Sequence, residues 1–208
     1  MKKNIIADKA SAYATVTLIA AEILLIIGSW IVSSVLPTMQ IRSVLSGEGL
    51  RWLLGKTVAN ITSPALVWIT LLATSTGIFL RCGISKDIRQ LHGKERITFQ
   101  SRLGLTLVMA EAISIITIMF LLSAMPHAIL LNVEGNLFPG SFSDSIVPVI
   151  AFAVTLCSTT YGITTARIKS ATEWFGAICC GIGKAAPVFV LYILLAELCH
   201  TLGFILGS

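Results

Sequence analysis

Charge is what this sequence has least of. Asp, Glu, Lys and Arg make up 12% of its 208 residues, where a soluble domain carries roughly a quarter, while 55% are hydrophobic and the mean hydropathy is +0.89. A water-soluble fold of this size could not bury that much apolar surface. Catalytic signatures are missing too: there is no His-Glu-x-x-His, no Gly-x-Ser-x-Gly and no zinc-type cysteine spacing, so the reading is of a non-enzyme with no cofactor and no metal. The cysteines are Cys82, Cys157, Cys179, Cys180 and Cys199, and none lies in the connections assigned below to the outside, which removes a disulfide framework. The net charge of +5 sits in short connections between apolar runs and forms no basic patch on a soluble domain, which argues against a nucleic-acid partner.

What is present is a series of apolar runs long enough to cross a ~30 Å hydrocarbon core, which takes about 20 helical residues. The spans are expected at Ala14–Leu36, Pro64–Leu80, Leu103–Met125, Ser145–Ala166 and Pro187–Leu206. The expected fold class is all-α: a polytopic membrane bundle of about five transmembrane helices, a single transmembrane domain over residues 1–208, with the lipid bilayer as its first partner. Met1-Lys2-Lys3 before an apolar run looks like a signal peptide, but the run to Leu36 is too long for one and carries Glu22, so it is read as an uncleaved first span. Of the fifteen Lys and Arg, only Arg42, Arg51 and Lys56 fall on one side of such a bundle. The other twelve put the N-terminus in the cytoplasm, the Asn132–Asp144 connection outside and the C-terminus in the periplasm of a bacterial inner membrane.

Two connections have helical patterning of their own. Ser46 is placed to cap a helix with Glu48 in its first turn and Leu50, Leu53, Leu54, Val58 and Ile61 at helical spacing, and Arg51 and Trp52 suit the headgroup level. Ser170-Ala-Thr-Glu173 has capping-box spacing before Trp174, Phe175, Ile178 and Ile182. Each stretch either lies on the membrane as an interfacial helix or leads directly into the next span. Val16–Glu22 also echoes Leu105–Glu111, and Gly77-Ile78 echoes Gly162-Ile163, as related helical hairpins would.

The residues able to carry chemistry are Glu22, Glu111, Glu197 and His200. A carboxylate in an apolar span is costly and normally pairs, faces the bundle interior or holds its proton. Glu22 and Glu111 therefore serve either as proton-linked groups or as hydrogen-bonding partners between helices. Glu197 and His200 are three residues apart on one helix face, the spacing of a proton-responsive pair; a metal site would need a second such motif and further carboxylates. Lys184 in Gly181-Ile-Gly-Lys184 lacks the strand and first glycine of a phosphate loop and reads as a lysine snorkelling to the interface. Ser158-Thr-Thr-Tyr-Gly162 is small enough for close helix approach or polar enough to line a pathway.

Two stretches resemble a known family. Leu45-Ser-Gly-Glu-Gly-Leu-Arg-Trp-Leu-Leu-Gly-Lys-Thr-Val-Ala-Asn60, with the following span to Gly77-Ile-Phe-Leu-Arg-Cys-Gly83, is similar to the first hairpin of the AbgT family of p-aminobenzoyl-glutamate transporters. Phe142-Ser-Asp-Ser-Ile-Val-Pro148 and Tyr161-Gly-Ile-Thr-Thr-Ala-Arg-Ile-Lys-Ser170 are similar to a later span of that family. Family members are much longer, and between these hairpins they carry further spans and a re-entrant segment at the substrate site. Here Ile84–Arg102 is a short basic connection instead. The resemblance therefore implies an oligomerising scaffold without the substrate-moving part, working in transport as a homo-oligomer or with a second membrane chain, and no substrate-binding residue carries over. The rival reading is a small non-transporting subunit for assembly or regulation of a membrane complex.

Overall fold

The computed structural model describes residues 2–35, 41–92, 98–124 and 141–207. These form seven helices: α1 (Lys2–Val35), α2 (Gly47–Ile61), α3 (Pro64–Cys82), α4 (Ile84–His92), α5 (Phe99–Ala124), α6 (Ser141–Thr164) and α7 (Ala171–Leu206), with no strand among the described residues. Five contain stretches long and apolar enough to cross a membrane, at Lys9–Val35, Pro64–Cys82, Phe99–Ser123, Phe142–Thr164 and Ala171–Leu206. The fold class is thus the expected one, an all-α multi-pass membrane protein. In the Phe99–Ser123 stretch none of the most apolar window is buried within the chain, as suits a helix whose solvent is lipid. Most of the Asn132–Asp144 connection, together with Leu36, Lys94, Arg96 and Met125, lies outside the described residues.

Four of the spans open earlier than expected, at Lys9, Phe99, Phe142 and Ala171, and two of the boundary differences have a specific cause. The fifth span does not open at Pro187: α7 is one helix of 36 residues that begins at Ala171 and runs through the proline, so the Trp174–Ile182 stretch leads into the span and is not a separate interfacial helix. Its length is about 54 Å at 1.5 Å per residue, well over the hydrocarbon thickness. A proline deletes one backbone hydrogen bond, whereas a break in an apolar helix would leave several polar groups unpaired in lipid, so the helix continues. The fourth span ends earlier than Ala166, because Ala166 has left-handed backbone with φ 53°. The amide of Arg167 bonds the carbonyl of Gly162 at 2.8 Å and that of Ala166 bonds Ile163 at 3.0 Å, the paired bonds of a Schellman stop.

Local signals elsewhere act as the sequence suggests. Ser46 Oγ accepts from the Gly49 amide at 3.0 Å and caps α2, and Gly49 is needed there because a Cβ would run into the carbonyls of Ser43 and Val44. Ser170 Oγ accepts from the Glu173 amide at 3.2 Å, while Glu173 Oε2 reaches back one residue further, to the Lys169 amide at 2.7 Å.

The chain divides into two compact units, residues 1–67 with 186–208 and residues 68–185. In the first, α2 is held by a stack of Trp52 on Phe204 with ring centroids 4.6 Å apart, and the segment before it is held by Val44, whose amide donates to Ser29 Oγ at 3.2 Å. Tyr192 fastens the corner between α2 and α3: its hydroxyl donates to the Ile61 carbonyl at 3.0 Å and also meets the Ser63 hydroxyl. In the second unit α5 packs along α6, and α3 crosses α7 at Ala73 and Gly77 on one side and Ala177 and Gly181 on the other. A Cβ on Gly77 would strike the Ala177 carbonyl and one on Gly181 the Ala73 carbonyl, so small residues four apart on both helices allow backbone to meet backbone.

Candidate functional site

The four residues singled out in the sequence fall into two groups. Glu22 lies on α1 and Glu197 and His200 lie near the end of α7, all in the first unit. Thr201 Oγ1, fully buried, donates to Glu22 Oε1 at 2.7 Å, and Glu197 lies within electrostatic reach of Glu22, Asn60 and His200. One oxygen of each acid, Oε2 of Glu22 and Oε2 of Glu197, is buried without a hydrogen-bond partner, as is Nδ2 of Asn60. Glu197 and His200 share a helix face but form no hydrogen bond or ion pair with each other. His200 instead turns to an open cleft beside α2.

Glu111 belongs to the second unit, on α5. Thr160 Oγ1 on α6 donates to its Oε1 at 2.6 Å, and its Oε2 is also buried without a partner. The echo between Val16–Glu22 and Leu105–Glu111 thus has a geometric counterpart, a glutamate taking one threonine hydroxyl from a neighbouring helix. The glycine half of the echo has none, since Gly77 serves a helix crossing and Gly162 faces Ile168 in the turn that ends its own helix.

The strongest polar centre of the second unit is one that the sequence did not single out. Asp87 is buried on α4, in the Ile84–Arg102 connection. Its Oδ2 accepts from Arg167 Nη2 at 2.8 Å, from Ser101 Oγ at 3.1 Å and from the Tyr161 hydroxyl, and its Oδ1 accepts from the same Arg167 nitrogen at 2.9 Å. Arg167 Nη1 also donates to the Cys82 carbonyl at 2.8 Å, and its guanidinium lies 5.8 Å from the centre of the Tyr161 ring. Burial by itself would push the Asp87 carboxyl upward; the Tyr161, Arg167 and Ser101 hydrogen bonds and the Arg167 charge outweigh it and hold the group below its ordinary value. The end of α3, then α4, α5, α6 and the turn into α7 are all tied to this carboxylate. The available signal was one acid in the otherwise basic segment Ile84–His92, three residues from Ile84 and so on its inward face.

Among the described residues no three of His, Cys, Asp and Glu lie together as metal ligands would. Compared with known proteins, the chain matches no family model, no curated protein and no solved structure.

Proposed function

We propose that this multi-pass membrane protein is a scaffold-type subunit of a bacterial inner-membrane transport system, similar in its two motif-bearing stretches to the AbgT family, with its N-terminus cytoplasmic and its C-terminus periplasmic. It works as a homo-oligomer or with a second membrane chain that supplies the substrate-moving segments. The observation that carries this reading is the pair of acids in the first unit. Glu22 and Glu197 lie within electrostatic reach of each other inside apolar helices, each with a buried oxygen lacking a partner. Such groups are expensive in hydrocarbon and mark ion or proton pathways and sites that a further polar group completes. The AbgT-like residues also coincide with contacts of weight: Ser46 caps, Trp52 stacks, Gly77 crosses, and Tyr161 and Arg167 hold Asp87.

The test is purification from the native membrane followed by native mass spectrometry, then uptake of p-aminobenzoyl-glutamate into proteoliposomes. The chain alone is expected to concentrate nothing, because among the described residues no re-entrant segment forms a midplane site. With its partner chain present, uptake should follow an imposed proton gradient and fall at least tenfold in Glu197→Gln. Recovery of a lone monomer, or uptake indifferent to Glu22→Gln and Glu197→Gln, overturns the reading and leaves an assembly or regulatory subunit.

A further inference from the structure

Between residue 9 and residue 81 the chain has three basic residues, Arg42, Arg51 and Lys56, and all three line one cleft of about 780 Å³ in the first unit. His200 and Asn60 complete the polar wall, and Glu48 is the one carboxylate on it. None of the three cations makes an ion pair among the described residues, where the sole such pair is Arg167 with Asp87. Asn60 on that wall is 7% exposed, and its side chain lies within reach of the Glu197 carboxyl. The aromatic part of the wall is the Trp52–Phe204 stack, with the Arg42 guanidinium 5.9 Å from the Phe204 ring centre. Three cations outside any ion pair converging on a recess form an anion site, with Arg42 positioned by the aromatic floor.

The cationic face of α2 borders an apolar one. Leu50, Leu54 and Val58 recur at i, i+4 and i+8, and Leu54 and Val58 are 81% and 78% exposed. An oxyanion in the cleft with hydrocarbon along Leu50, Leu54 and Val58 would be the two halves of an anionic amphiphile. We infer that the cleft binds the phosphate headgroup of an anionic phospholipid, with Arg42, Arg51 and Lys56 as its donors and the exposed leucine-valine strip of α2 against its acyl chains. A free phosphate or carboxylate would use the cations and leave the strip unused. This inference does not depend on the transport reading.

The experiment is native mass spectrometry of the full chain in detergent, titrated with phosphatidylglycerol or with phosphatidylcholine of the same chain length. Retention of phosphatidylglycerol at least tenfold tighter than phosphatidylcholine is expected. An Arg51→Gln, Lys56→Gln double variant should lose about thirtyfold in phosphatidylglycerol affinity, at roughly 1 kcal/mol per cation near an anionic lipid. Leu54→Asn should also weaken it. Arg102→Gln, which removes an exposed cation outside the cleft, should not, and circular dichroism of each variant reports that it is folded. Equal retention of the two lipids, or a folded double variant that binds like wild type, overturns the proposal. So does inorganic phosphate that displaces phosphatidylglycerol at equal concentration, with Leu54→Asn without effect, since that assigns the cleft to a soluble anion.

Discussion

In the unit built on α4, α5 and α6, Asp87 has both oxygens engaged by an arginine, a serine and a tyrosine. In the unit built on α1, α2 and the end of α7, Glu22 and Glu197 each keep a buried oxygen unused, and three cations line an open cleft without an ion pair among the described residues. One region spends its charges on holding helices together; the other leaves them available. Closed networks rigidify, because removing any member strands the rest, whereas incomplete ones in an apolar setting are the places where a ligand, a proton or a partner adds most. The difference separates a structural centre from a functional candidate without reference to any relative.

The sharpest way to break that comparison is to delete the acid on each side. Asp87→Ala strands Arg167 and should cost about 3 kcal/mol, at the low end for a broken buried pair because the Arg167 side chain is 35% exposed and water can reach it. Glu22→Gln keeps an acceptor for Thr201 and should move stability by less than about 1 kcal/mol. Thermal unfolding in detergent reads both, and equal losses would erase the distinction. The pH dependence follows from the lowered Asp87 carboxyl. Its contribution is complete above the ordinary value of 3.8 and is lost as pH falls through the still lower folded value, so wild type and Asp87→Asn should begin to converge in stability only as pH drops below 3.8.

Next in size are the glycines. Gly181→Ala places a methyl group against the Ala73 carbonyl and the Gly77 backbone and should cost about 2 kcal/mol. Gly28 on α1 has nothing within 4 Å of its Cβ position, and Gly28→Ala should stabilise by up to about 1 kcal/mol through helix propensity. A Gly181→Ala variant at least as stable as wild type in a differential unfolding scan would show that the α3–α7 crossing is looser than described.

Smaller still is the one device the units share. Thr201→Val and Thr160→Val each remove a hydroxyl from a glutamate and should each cost about 0.6 kcal/mol, up to ~1.7, in chemical denaturation. A large disparity between them would mean that one glutamate depends on something its counterpart lacks. The smallest effect is at Ala166, the one non-glycine residue with left-handed backbone among the described residues. Ala166→Gly relieves that conformation at some cost in unfolded-chain entropy and should stabilise by about 0.5 kcal/mol, visible as a small rise in melting temperature.

Much of this was legible in the residues alone. The apolar runs at 64–80 and 103–125 became α3 and α5 within a few residues, and Ser46 and the Ser170–Glu173 pair cap as their spacing implied. These are local matters: in lipid every backbone group must bond within its own helix, so hydropathy and end signals determine where helices run. The run through Pro187 was not legible, because tolerance of a proline depends on what the alternative break would expose. Tertiary structure alone decided which polar groups meet. Asp87 and Arg167 are 80 positions apart and Glu22 and Thr201 are 179 apart, and no periodicity links them. It also decided that Arg42, Arg51 and Lys56, which in the sequence read as orienting the chain and, for Arg51, as sitting at the headgroup level, line a single cleft with His200 from the far end of α7. A charge in a sequence has a position, but its energy depends on what the fold places within a few ångströms of it, and that distance is set by the packing of whole helices.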